Sequence, residues 1–139
     1  MTDTHSKEVR SYNMSRIKNK NTKPEEIVRK YLFSRGLRFR KNDKRYSGHP
    51  DIVLPKYKVI IFVNGCFWHM HKNCRYFVMP KSNLSYWKPK LEKNKYNDAQ
   101  NKRILGEQGW RVLVIWECQL KKESCMRSLA DLYDQIIHV

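Results

Sequence analysis

The stretch Val59-Ile60-Ile61-Phe62-Val63-Asn64-Gly65-Cys66-Phe67-Trp68-His69-Met70-His71 joins a β-branched apolar run to a loop dense in Cys, His and aromatic residues. The run Val59–Val63 suits a strand buried on both faces, at the centre of a sheet. Upstream, Pro55-Lys56 makes a turn, Ile52-Val53-Leu54 is a short apolar run, and Ser47-Gly48-His49-Pro50 turns again. Leu37 and Phe39 alternate with arginines, so Leu37 to Val63 reads as strands throughout. Before them, Thr22 and Glu25 form a capping box, Ile27, Val28, Tyr31 and Leu32 make an apolar helical stripe, and Gly36 stops the helix.

Downstream, Gly65 to Pro80 is irregular and holds most of the Cys and His. A helix is predicted over about Ser85–Gln108, ended by Gly109, with Pro89 in its first turn or just before a later start. Arg111–Trp116 reads as a strand, with Trp110 and Trp116 at its ends as core residues, and Ser124–Ile137 as a final amphipathic helix. This order predicts an α/β fold, a mixed central sheet flanked by helices. With no repeat or Gly/Ser-rich linker, residues 1–139 read as a single domain, divided into a polar segment 1–21 and a core 22–139. In the polar segment Met14 and Ile17 are spaced as on one face of a short helix.

Charge narrows the partner. Lys and Arg total 29 against 13 Asp and Glu, a formal net charge of +16. Such an excess draws a small protein to a polyanion, because phosphate contacts release condensed counterions. An anionic membrane surface or a ribosomal partner would also satisfy the charge, but the aromatic content of 12%, including 4 Trp, favours nucleic acid. The longest apolar runs are far too short to span a bilayer, and Met1–Arg10 lacks the apolar stretch of a signal peptide. A soluble intracellular protein is expected.

Three constellations could carry chemistry. Cys66, His69, His71 and Cys74 have ligand-like spacing, with Cys118 a better fourth ligand than Cys125, which belongs to the last helix. Spacing leaves open whether His69 or His71 completes the set. Pro50-Asp51 opens one strand beside a second that ends at Val63, as in nucleases that hold Mg²⁺ with a carboxylate at a strand start. The acidic-x-Lys triplet common on that second strand is replaced by Phe62-Val63-Asn64. His69 with Asp98 could form a general base oriented by a carboxylate. Asp98 otherwise reads as a solvated helix charge, and the capping box accounts for Glu25 without catalysis. Phe67, Trp68 and Trp87, in basic surroundings, could serve as wedges into a base step instead of filling the core.

Together these residues resemble the very-short-patch repair (Vsr-type) mismatch endonucleases. The resemblance runs from about Arg10 to Cys118, through Arg10-Ser11-x-Asn13-Met14-x-x-Ile17, Thr22-x-x-Glu25 and Gly48-x-Pro50-Asp51. It continues through Ile61-Phe62-Val63-Asn64-Gly65-Cys66-Phe67-Trp68-His69-x-His71, Gly109-Trp110 and Trp116-Glu117-Cys118, of which Gly-Cys-Phe-Trp-His is the most specific string.

The resemblance implies a restriction-endonuclease-like core with a structural zinc held by Cys66, His71, Cys74 and Cys118. It implies Mg²⁺ at Asp51 with the Val63 carbonyl, Glu25 acting through water on that ion, and His69 paired with Asp98 as general base. Phe67, Trp68 and Trp87 would wedge into DNA from the major groove, and Met14 and Ile17 would engage the opposite groove. The implied substrate is double-stranded DNA with a T:G mismatch left by 5-methylcytosine deamination, nicked 5′ to the T. A functional link to a cytosine-5 methyltransferase and a cytoplasmic, nucleoid-associated bacterial location follow. A monomer is expected because a mismatch offers no two-fold axis. The chain departs from the family pattern at Asn64, where His is common, at Asn97, where many relatives have Arg, and in a zinc loop one residue longer than the shortest versions. A non-catalytic DNA-binding module, motivated by Asn64, and a restriction enzyme for fully paired DNA are the competing readings.

Overall fold

The computed structural model describes residues 23–72, 74, 79 and 81–138. Met14, Ile17 and the capping residue Thr22 lie outside the described residues. The elements are α1 (Lys23–Ser34), β1 (Arg40–Lys41), β2 (Ile52–Leu54), β3 (Val59–Asn64), α2 (Leu84–Glu107), β4 (Arg111–Trp116) and α3 (Cys125–Ile137). The sheet has the order β1-β2-β3-β4. β1 with β2 and β2 with β3 pair antiparallel, while β3 and β4 run parallel, so the sheet is mixed as expected.

Strand alternation divides the core into two. Ile52, Leu54, Val59, Ile61, Val63 and Ile115 point to one side, where they meet Val28 and Leu32 of α1 and Leu129, Leu132 and Ile136 of α3. Val53 and Ile60 point to the other, with Leu105 of α2 and the half-buried Tyr46, Phe62, Trp110 and Val112. Helices therefore cover both faces. Arg111 reinforces the larger layer: its guanidinium donates to the Gln135 and Ile136 carbonyls at 2.7 and 2.8 Å, capping the end of α3 from the start of β4.

Both glycine stops work by the same geometry. At Gly36 (φ +86°) the Leu37 N–H reaches the Leu32 carbonyl and the Gly36 N–H the Phe33 carbonyl. At Gly109 (φ +92°) the corresponding pairs are Trp110 to Leu105 and Gly109 to Gly106. Each is a Schellman motif that satisfies the last helical carbonyls.

Three local expectations are corrected. The first strand is only Arg40–Lys41; Leu37 and Phe39 alternate because they pack onto the core, without a pairing partner before Arg40. Helix α2 begins at Leu84, so Pro89 sits inside it, beyond the first turn, and its missing N–H cannot bond the Ser85 carbonyl. Trp116 is not a core residue: it ends β4 half-buried, its ring stacked on His71. Trp110 does pack, edge-on to Tyr46 at 5.2 Å.

Ile61 is fully buried in the central strand. Ile61→Ala should cost about 2–5 kcal/mol of stability, as core truncations do. The check is the urea midpoint at unchanged slope, and a loss within error of zero would contradict this packing.

Candidate active site and metal centre

The parallel ladder ends with Asn64 opposite Trp116, and everything with chemical potential gathers beyond that end. The chain leaves β3 in a tight loop closed by the His69 N–H on the Gly65 carbonyl and the His71 N–H on the Cys66 carbonyl. It leaves β4 in a 3-10 turn, Glu117–Leu120, that carries Cys118. Cys66, His71, Cys74 and Cys118 thereby present ligand atoms that all lie within 4.8 Å of one another. The Cys118 Sγ stands 3.4 Å from the His71 Nδ1. Ligands of one tetrahedral ion at usual bond lengths lie about 3.5–3.8 Å apart, so this cluster is sized for a single ion.

Electrostatics favour a cation there. Burial pushes the Cys66 thiol up to about 12, and the neighbouring Cys74 and Cys118 add to the rise. Burial likewise raises Cys118 and lowers His71, which keeps the imidazole neutral, the form that binds metal. Packed thiols held protonated by burial ionise readily only against a positive ion. The His71 ring stacks on Trp116, centroids 3.9 Å apart and planes at 5°, which fixes its orientation.

The two histidines of the loop separate. His69 turns away from the cysteines, and its Nδ1 meets the Asp98 Oδ2 of α2 at 2.5 Å. Both side chains keep about a third or less of their surface exposed, 27% and 31%. With Nδ1 engaged, Nε2 is the ring nitrogen left for other work. Asp98 also lines a small cleft with Asn64, Phe62, Asn101, Lys102 and Val114. Asn64 itself is buried, at 7% exposure.

On the other side of β3, the Val63 N–H donates to the Asp51 Oδ2 at 2.7 Å. Glu25 is only 2% exposed and stands beside Asp51, not on a solvated first turn. Burial pushes the Asp51 carboxyl up to about 7, and the adjacent Glu25 adds to the rise, against the pull of the Val63 N–H and of Arg29. Arg29 bonds Glu25 at 3.4 Å, with both side chains buried. Two carboxyl groups and one guanidinium thus share a largely dry position at the strand ends. Such a pair can hold a divalent cation, which would relieve their mutual repulsion.

Phe67, Trp68 and Trp87 are brought together as one aromatic cluster. Phe67 packs edge-on to Trp68 at 5.3 Å and to Trp87 at 5.4 Å, and Trp68 lies 5.8 Å from Trp87. The Lys90 ammonium sits 5.5 Å from the Trp68 centroid, and the Asn94 amide donates to the Trp68 carbonyl at 3.1 Å.

Sequence reading missed Arg29, Trp116, Lys90, Asn94 and Asn101. For those on α2 a signal existed. Trp87, Lys90, Asn94, Asp98 and Asn101 recur at intervals of three and four, a polar stripe on one face of the helix.

The sequence is also similar to known proteins. A sequence model described as DNA mismatch endonuclease Vsr matches residues 2–76. The Type II nicking enzyme V.NmeAIP of Neisseria meningitidis is 49% identical over 127 residues, 91% of this chain and 90% of that protein. The Type II nicking enzyme V.XorIIP of Xanthomonas oryzae is 45% identical, covering 94% of this chain and 98% of that protein. The DNA mismatch endonuclease Vsr of Escherichia coli K12 is 40% identical, covering 87% of this chain and 77% of that protein.

Two predictions follow from the electrostatics. Cys66→Ser should lose its metal and its thermal stability together, because metal binding contributes folding energy directly. Metal content and Tm measured on the same samples test this, and a metal-free variant as stable as the parent would refute it. Asp51 has a folded-state pKa above its unfolded one, so its favourable contribution is full below about pH 4 and is lost as pH rises through about 7. Asp51→Asn should therefore raise Tm at pH 8 in magnesium-free buffer and leave it nearly unchanged at pH 4. Equal shifts at both pH values would contradict the raised carboxyl.

Proposed function

The chain belongs to the DNA mismatch endonuclease Vsr family, and on that premise we propose that it is a magnesium-dependent enzyme nicking one DNA strand 5′ to the T of a T:G mismatch. The observation that carries this reading is the meeting of two units across β3. Asp51, which accepts the Val63 N–H, stands on one side with Glu25 next to it, and His69 with Asp98 stands beside Asn64, the next residue along the strand.

Asp51 is the residue that would hold magnesium, with the Val63 carbonyl as a second oxygen and Glu25 beside it. Held there by these residues, magnesium would supply Lewis-acid polarisation of the scissile phosphate and a water of lowered pKa for in-line attack. Asp98 holds His69 through Nδ1, leaving Nε2 to take the proton of the attacking water and Asp98 to stabilise the imidazolium formed. Asn64 can hydrogen-bond the phosphate but cannot titrate, so proton transfer falls to His69 alone.

Zinc is the ion that the thiolate-rich set of Cys66, His71, Cys74 and Cys118 suits best, in a closed structural site. It would stiffen the loop that presents Phe67 and Trp68. With Trp87 these rings would enter the DNA as a wedge from the major groove, while Met14 and Ile17 engage the opposite groove. A mismatched step is cheaper to unstack than a paired one, so the wedge itself discriminates. We read the mixed sheet as a restriction-endonuclease-like core acting as a monomer in the bacterial cytoplasm, at the nucleoid. The T:G substrate ties the enzyme to a cytosine-5 methyltransferase, whose product deaminates to T.

The test uses labelled duplexes that differ only at one T:G or C:G pair, with Asp51→Ala beside the parent. A single magnesium-dependent nick 5′ to the mismatched T is expected, absent from the C:G duplex. Asp51→Ala should lose at least about a thousandfold in rate, as removal of an electrostatic or metal-holding group does, while retaining DNA affinity. Tight binding without a cut in any flanking context would instead favour a binding module, and cutting of the C:G duplex a restriction enzyme.

A further inference from the structure

The loop that delivers Asp51 is fastened to α2 through Ser47. The Ser47 hydroxyl donates to the Asn101 Oδ1 at 2.7 Å, across a separation of 54 residues. The next residue, Gly48, has φ +82°, and a Cβ there would lie 2.7 Å from the Asn101 Nδ2 and 2.9 Å from its Cγ. The loop backbone therefore rests directly on the Asn101 amide, and only glycine allows that approach without displacement. His49 follows with φ +47°, its N–H on the Tyr46 carbonyl, and Tyr46 packs on Trp110. After Pro50 comes Asp51, whose carbonyl accepts the Asn42 N–H at 3.1 Å. On the helix side, Asn101 lies one turn beyond Asp98 and lines the same cleft as Asp98 and Asn64.

We infer that Asn101 is a positioning residue, which locks the Asp51 loop onto the helix bearing Asp98 and so fixes the spacing between the Asp51–Glu25 and His69–Asp98 units. The inference rests on the assignment of those units given above. Asn101 acts through Ser47 and Gly48. Uncharged at every pH, it does not add to the acidic cluster, whereas Lys or Asp at this position would alter the field around Asp98. His49, a non-glycine residue in the left-handed region, is costly to hold without such an outside anchor.

The experiment compares the full-length, metal-replete parent with Asn101→Ala, Ser47→Ala, the double variant, Ser47→Thr and Asp51→Ala. Single-turnover nicking, DNA affinity and the magnesium concentration for half-activation are measured on the mismatched duplex. Hydrogen exchange at the Val63 and Asn42 amides is followed separately, in magnesium-free buffer without DNA. Asn101→Ala and Ser47→Ala should each slow single-turnover nicking about 10- to 100-fold, as sub-ångström misplacement of a reacting group does. Half-activation should move to higher magnesium, and exchange at Val63 and Asn42 should speed up, with DNA affinity unchanged. The double variant should be no worse than Asn101→Ala, because that substitution already removes the Ser47 contact. Ser47→Thr, which keeps the hydroxyl, should behave as the parent. Parental nicking and exchange in both single variants, or a fall in Tm with rate and half-activation intact, would overturn the inference. Should Asn101→Ala fold poorly, Ser47→Ala removes one hydroxyl and decides the matter alone. If Asp51→Ala nicks like the parent, the assignment of Asp51 fails first, and the positioning role falls with it.

Discussion

The parallel ladder between β3 and β4 is the constraint from which the rest of the site follows. It runs in one register from Val59 opposite Arg111 to Asn64 opposite Trp116. Cys66 and Cys118 each lie two residues past that last pair, so the ladder brings the two thiols to the same level. His71 then reaches Cys118 by folding back through the Gly65–His71 loop, and Trp116 supplies the surface on which its ring lies. A slip of one residue would turn every side chain of β4 to the opposite face and separate the cysteines. The fully buried Val59, Ile60 and Ile61 hold the register, because neither face of β3 tolerates exchange with solvent.

The same strand separates two kinds of electrostatic work. On the cysteine side, burial raises the Cys66 and Cys118 thiols and so favours their protonated form. On the Asp51 side, burial and Glu25 hold a carboxyl up near 7, so the position is least stable when both acids are ionised. Arg29 offsets part of that repulsion from within α1, one turn after Glu25. Both positions therefore gather ionisable groups whose charged forms burial opposes. The net charge of +16 over the whole chain has the opposite effect at longer range, drawing a polyanion towards acids it would otherwise avoid.

Much of this was legible in the sequence because it is local. The β-branched runs of β3 and β4, the glycine stops after α1 and α2, and the stripe of α3 specify their elements without help from distant residues. The thiol cluster was visible as a cluster, yet spacing could not choose between His69 and His71. The choice depends on Asp98, 29 residues away from His69, and on Trp116, which stacks under His71. Trp116 reads as core because alternation places it on the α2 face of the sheet, whereas in the fold its half-buried ring stacks on His71. The Glu25–Arg29 pair has the spacing of an ordinary surface i,i+4 pair and is buried instead. The polar stripe of α2 weakened the apolar periodicity by which helices are judged, so the face that carries the site looked like plain solvated surface.

That stripe also explains why so long a helix, Leu84–Glu107, buries so little of itself. Among its described residues only Leu91 and Leu105 are fully buried. A helix held by apolar contact alone would expose a polar outer face and hide a uniform inner one. Here the inner face is divided along its length. Trp87 and Lys90 stand near its start against Phe67 and Trp68, Asp98 and Asn101 stand in the middle against His69 and Ser47, and Leu105 packs near its end. Directional polar contacts have replaced hydrophobic ones wherever the helix passes the site. Such contacts tolerate less displacement than packed methyl groups, since a hydrogen bond weakens steeply as its geometry departs from linear. The helix is thereby indexed to the sheet at several points along its length.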